Sequence, residues 1–202
     1  SQALDPNNAD AVYTAKLINA TSDAIREVLK VHPLNIQREK EGKPAANLVL
    51  LRGPSSAGVI PKYIDKNGMS EEAVVPTGIV RGVMTQLGIK LDKLPNGATG
   101  DEHSDLKNKI LESAKHAAEP GSSDIIFCHV KAADDAGHDG RPKDKAKHIE
   151  QCDLGLSEAV QVLSKIPGGC CVIVTGDHST PCNFFDHSDE PVPFLISAVG
   201  FD

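Results

Sequence analysis

The stretch "VIVTGDHSTPCNFFDHSDEPVPFL", residues 172–195, fixes how the rest of the chain is read. Val172 to Thr175 are apolar or β-branched without alternation, the pattern of a strand covered on both faces. They run into Asp177-His178, and a second pair, Asp186-His187, precedes another strand-like run, "VPFLISAV". One Asp-His pair means little, since Asp caps turns and helices freely. Two such pairs at the mouth of a buried strand raise the question of what else in the chain meets them.

Working outward, strand-like and helix-like segments alternate. Residues 7–31 place apolar side chains at 12, 15, 18, 25, 28 and 29, one helical face, with Pro33 as a stop. A polar loop follows over residues 32–46, then "NLVLLRG" (47–53) as a short strand, and a loop over 54–72. "EAVVP" (72–76) reads as a strand and residues 77–89 as a helix. Residues 90–104 read as a loop and 104–118 as a second helix. "SDIIFCHV" (123–130) is a buried strand, residues 143–165 a long amphipathic helix, and "CCVIVTG" a strand after the Pro167-Gly168-Gly169 turn. Uniformly apolar strands separated by helices imply βαβ crossovers and a mostly parallel sheet flanked by helices, an α/β fold. Ligand sites in such sheets lie beyond the carboxyl ends of the strands.

Bulk properties narrow the classes of function. A chain of 202 residues suffices for one well-buried domain with an appendage. The net charge of −7 argues against a nucleic-acid surface. No apolar run approaches the ~18 residues of a membrane span, and the start, "SQALDPNNADAVY", lacks the pattern of a signal peptide. The five Cys are odd in number and contain no CxxC, so buried reduced thiols at Cys128, Cys170 and Cys171 in a cytoplasmic protein are expected. The chain lacks an initiator Met and stops directly after a strand-like run, as a piece cut from something longer would.

Polar clusters stand at two strand ends. After "IIFCHV" comes "KAADDAGHDG", in which Asp134 and His138 are four apart and Gly137 and Gly140 permit a tight turn. After "CVIVTG" come Asp177, His178 and, later, His187. At neighbouring positions of one sheet these offer two carboxylates and three imidazoles. Mixed Asp/His donors suit zinc or manganese, and a metal pair clamps a phosphoryl group and lowers the pKa of an oxygen nucleophile. Asp186 is placed to orient an imidazole. Ser179 and Thr180 read as loop or helix-start residues, and His129 as a satisfied buried imidazole. His32, His103, His116 and His148 read as ordinary surface residues.

"HVKAADDAGHDG" (129–140) and "VTGDHSTPCNFFDHSDEPVPFL" (174–195) resemble the alkaline phosphatase superfamily, and within it the archaeal-type, cofactor-independent phosphoglycerate mutases. The likeness extends to "VLKVHPLNIQREKEGKPAANLVLLRG" (28–53) and "KLPNGATG" (93–100). It implies that Asp134, His138 and His187 hold one divalent cation, and that Asp177 and His178 contribute to a second. Mn²⁺ or Zn²⁺ are the expected ions, with Mg²⁺ or Co²⁺ as further options and no bisphosphoglycerate cofactor. The implied reaction interconverts 3-phosphoglycerate and 2-phosphoglycerate in glycolysis through a metal-activated phosphoenzyme. The superfamily's Asp-Gly strand end and its nucleophilic Ser or Thr have no counterpart in the chain. The resemblance therefore implies an inactive C-terminal fragment lacking its N-terminal strands. Residues 1–45 would be the end of an inserted lobe with its connector, and 46–202 the metal-binding core. Lys131, Arg38 and Arg52 are the expected contacts to a small phosphorylated substrate. A phosphohydrolase or other phosphotransferase of the same superfamily, or a non-catalytic metal-binding domain, are the alternative readings. An unpaired sheet edge would invite association.

Overall fold

Side-chain capping sets the first helix. The Asn8 side chain accepts hydrogen bonds from the N–H groups of Asp10 and Ala11 and so starts α1 (Ala9–Val31). The computed structural model describes residues 1–51, 53 and 58–201, and separates into two compact units, Ser1–Gly58 and Val59–Asp202.

In the first unit, Pro33 ends α1 and also opens a second helix, α2 (Pro33–Lys40), with His32 as its cap through Nδ1 and the Leu34 N–H. This corrects the polar loop expected at residues 32–46. Proline lacks only an N–H that has no partner in the first turn, so it starts a helix as readily as it stops one. Asn35, 6% exposed, ties the turn together by donating to the carbonyls of Leu29 and Ala46 and accepting from the Ala46 N–H. The strand expected over residues 47–53 does not form in the part described: residues 47–51 have no regular structure, and Leu50 is 81% exposed. An apolar run needs a neighbouring strand to satisfy its backbone, and none pairs with this one among the described residues.

In the second unit, β1 (Glu71–Val74), β2 (Lys90–Leu91) and β3 (Ile125–Cys128) form a parallel sheet of order β2-β1-β3. The pair β1–β3 is in register with Glu72 beside Ile126 and Val74 beside Cys128. On one face Ala73 and Val75 pack with Met84 of α4 (Gly78–Gln86) and with Ile89. On the other lies α5 (Leu106–Ala117), started by Asp105, whose side chain accepts from the Asn108 N–H. Coverage from both sides explains why Ala73, Val74 and Val75 are essentially unexposed. Two elements interrupt expected loops: α3 (Tyr63–Asn67), ended by Gly68 in the left-handed conformation, and β2 itself.

Beyond β3 the chain forms α6 (Ala132–His138) and α7 (Pro142–Leu163). The last strands, β4 (Cys170–Thr175) and β5 (Phe194–Val199), pair antiparallel with each other as a second sheet. The sequence pattern predicts β3 and β4 as neighbours in one sheet; among the described residues they share no ladder. Packing still links the two regions. Val199, Cys170 and Val172 pack with Ala114 and Ile110 of α5 and with Ala159 and Leu163 of α7. The opposite face of this hairpin, including Ile173, Phe194 and Ile196, is more than half exposed. No cysteine is in a disulfide, and Cys171 is exposed rather than buried. No helix among the described residues is long and apolar enough to cross a membrane.

Candidate metal centre

The segment after β3 was expected to turn tightly around Asp134 and His138. It is a helix instead, and a close approach explains the glycine within it: a Cβ on Gly137 would lie 2.3 Å from the Thr180 carbonyl oxygen. In a helix the four-residue spacing of Asp134 and His138 puts both on one face. That face meets the loop between β4 and β5, which carries Asp177, His178, Thr180, Asp186 and His187.

Four side chains converge there. The Nε2 atoms of His138 and His187 are 3.1 Å apart, and each lies 3.5 Å from an Asp134 carboxylate oxygen. His178 approaches the same carboxylate through Nδ1 at 3.9 Å and stacks its ring on that of His187 with centroids 3.6 Å apart. Two hydrogen bonds orient the set: Thr180 Oγ1 donates to Asp134 Oδ1 at 2.5 Å, and His138 Nδ1 is 3.0 Å from the Phe185 carbonyl oxygen. That second contact leaves His138 Nε2 directed at the carboxylate. Asp177 stands apart from the four: it is well exposed and touches the set through His178 Nε2 at 3.4 Å. Two groups have donor atoms within 4.8 Å of one another, Asp134 with His178 and His187, and His138 with Asp186 and His187. Three imidazoles facing one carboxylate is a donor set suited to a borderline divalent cation, so the residues present fit a metal ion.

Charge follows from the same contacts. Burial pushes the Asp134 carboxyl upward, but the ammonium of Lys131 and the Thr180 hydroxyl outweigh it and hold the group below the ordinary Asp value. Asp135, without such donors, is raised by burial. Lys131 therefore sits on Asp134, with Asp135 3.8 Å away. Arg38 lies in α2, where its Nε donates to the Pro44 carbonyl, and Arg52 lies outside the described residues. Beside the centre, Asp101, Glu102, His103, Asp135, His138 and Asp139 line an open cavity of about 270 Å³.

Two features of the centre have no strong mark in the sequence pattern. Thr180 passed for a loop residue, yet it is 2% exposed and bonded to Asp134, 46 residues away. Its position directly after Asp177-His178-Ser179 was the available signal. Phe185 holds a left-handed backbone, φ 61°, which presents its carbonyl to His138, and its ring lies where a Cβ on Gly140 would stand.

Comparison with known proteins places the chain in a family. The sequence profile of the Metalloenzyme superfamily matches residues 7–201. A Metallosphaera sedula protein named 2,3-bisphosphoglycerate-independent phosphoglycerate mutase is 40% identical over 91% of this chain and 43% of its own length. A Methanoculleus marisnigri protein of the same name is 34% identical over 97% of this chain and 45% of its own. A solved Pyrococcus horikoshii structure superimposes with a TM-score of 0.77 at 32% identity, covering 96% of this chain and 50% of that one. The chain thus spans about half the length of the relatives it matches. With the parallel sheet, the flanking helices and the convergent donors, the profile match leads to one conclusion: the chain belongs to the Metalloenzyme superfamily.

Proposed function

We propose that Asp134, His138 and His187 hold one divalent cation and that Asp177 and His178 supply part of a second site, with manganese or zinc as the ions. The observation that carries this reading is the meeting of Asp134, His138, His178 and His187, from α6 and a loop some 40 residues later, within hydrogen-bonding or ion-pair distance.

We further propose that the whole protein interconverts 3-phosphoglycerate and 2-phosphoglycerate in cytoplasmic glycolysis, without a bisphosphoglycerate cofactor. The names of the relatives support the substrate class. When bound, the cations supply charge stabilisation to the transferring phosphoryl group and favour a deprotonated oxygen nucleophile. The chain's own residues prepare for this. Lys131 and Thr180 keep Asp134 ionised, and the Phe185 carbonyl fixes the ring of His138. Thr180 is committed to Asp134 and buried, so it does not serve as the nucleophile. We assign no nucleophile within these 202 residues and expect the chain alone to bind metal without turnover.

Calorimetric titration of the chain with Mn²⁺ tests the centre. His187→Ala is expected to weaken binding at least about tenfold, the usual penalty for losing a group that holds or orients a metal ligand. Unchanged affinity would remove the assignment. For the reaction, full-length protein given 3-phosphoglycerate and coupled to enolase should yield 2-phosphoglycerate. Free phosphate with none of that product would favour a hydrolase.

A further inference from the structure

We infer that Glu72, Asp92 and His116 form a further divalent-cation site, separate from the Asp134 centre and on the β1–β2 side of the parallel sheet. Three different elements build it. Glu72 comes from β1, Asp92 follows β2, and His116 occupies the last turn of α5. Glu72 lies within β1 and Asp92 directly follows β2, its N–H donating to the Ala73 carbonyl, whereas Asp134 follows the carboxyl end of β3.

The donor atoms converge on one point. His116 Nε2 contacts Glu72 Oε2 and lies 3.5 Å from Asp92 Oδ2, and the three donors fall within 4.8 Å of one another. A single proton on Nε2 serves only one of two carboxylates, whereas one cation serves both oxygens and the nitrogen. Each residue's other polar atom is held from outside. Lys90 Nζ lies 2.5 Å from Oε1 of Glu72, the Lys93 N–H donates to Asp92 Oδ1 at 2.7 Å, and a Glu119 oxygen is 3.5 Å from His116 Nδ1. A carboxylate behind the far nitrogen of an imidazole is the arrangement that orients metal-ligating histidines.

Charge and burial point the same way. Glu72, Asp92 and Glu119 bring three negative charges to the cluster and Lys90 one positive, an excess of negative charge that favours a cation. The Glu72 side chain is 6% exposed and those of Asp92 and His116 are 20%, which shields the donors and leaves an open side for a further ligand. Two carboxylate oxygens and one imidazole with an open position suit zinc. A cation here pins the end of α5 to β1 and β2.

The test uses the 202-residue chain stripped with EDTA and titrated with zinc alone. His116→Ala and, separately, Asp92→Asn should each bind one zinc ion fewer per chain at saturation than the parent, with circular dichroism unchanged. The zinc-induced rise in melting temperature should shrink in both. In the unmodified chain, zinc should shift the His116 Nε2 resonance in ¹⁵N NMR, a readout that needs no variant. Undiminished zinc stoichiometry in a folded variant, or a His116 resonance indifferent to zinc, would leave an ion-pair network only and overturn the inference. Neither result bears on the Asp134 centre, whose own loss by His187→Ala is measured separately.

Discussion

Lys109 sits on the inner side of α5 with no exposed surface, and its Nζ has no hydrogen-bond partner among the described residues. Burial is the main reason its amine is held below the usual lysine value of 10.5, with the opposing pull of Cys128, Cys152 and Asp101 too weak to restore it. Replacing it by Met keeps the apolar stem and removes the orphaned donor. Lys109→Met is expected to stabilise the chain by about 1–3 kcal/mol at neutral pH, read from urea unfolding. The sign with pH follows from linkage. The unfolded chain takes up this proton more readily than the folded one, so wild-type stability climbs as pH rises toward 10.5 and the advantage of the Met variant narrows. An advantage that widens with pH would refute the account. Single residues also mark the limit of reading from sequence. Asp134, His138, His178 and His187 announce themselves by type and spacing, whereas His116 looked like surface until α5 folded it against Glu72.

At the level of elements, the docking of α6 on the β4–β5 loop depends on the bare face of Gly137. Gly137→Ala would drive a methyl into the Thr180 carbonyl at 2.3 Å, a backbone atom that cannot rotate away. We expect a loss of about 1–3 kcal/mol in stability, as for other overpacked contacts, together with weaker Mn²⁺ binding because Thr180 would shift off Asp134. Denaturant midpoints and calorimetry on the same variant check both; full metal affinity in a destabilised variant would show that α6 docking and the centre are independent. Strands were legible where packing agreed with pattern. "EAVVP" reads as a strand and its first three residues are in β1, because α4 and α5 cover its two faces. "NLVLL" carries the same signal and is irregular, because no partner strand adjoins it among the described residues. Apolar content measures the wish to be buried, and hydrogen-bond partners determine the conformation.

Across the second unit, the hairpin β4–β5 has one face on the helices and the other open. Ile173 pairs with Ile196 and Thr175 with Phe194, which puts Ile173, Ile196 and Phe194 on the outer face with exposures of 57%, 59% and 65%. Exposed apolar patches of this kind favour association. The isolated chain is expected to self-associate as concentration rises, seen by light scattering, and Ile173→Lys with Ile196→Lys should shift it toward monomer. A wild-type chain monodisperse at high concentration would contradict this.

The sequence by itself determined the α/β character, the main helices, most strands and the identity of the metal-suited side chains, since these rest on periodicity, capping and residue chemistry that act over a few positions. Tertiary structure alone decided that Asp134 and His138 share a helix face and that Thr180 bonds across 46 residues. It also decided that the sheet is divided in two and that His116 meets Glu72 and Asp92. These depend on contacts between segments far apart in the chain, whose distances no local pattern encodes.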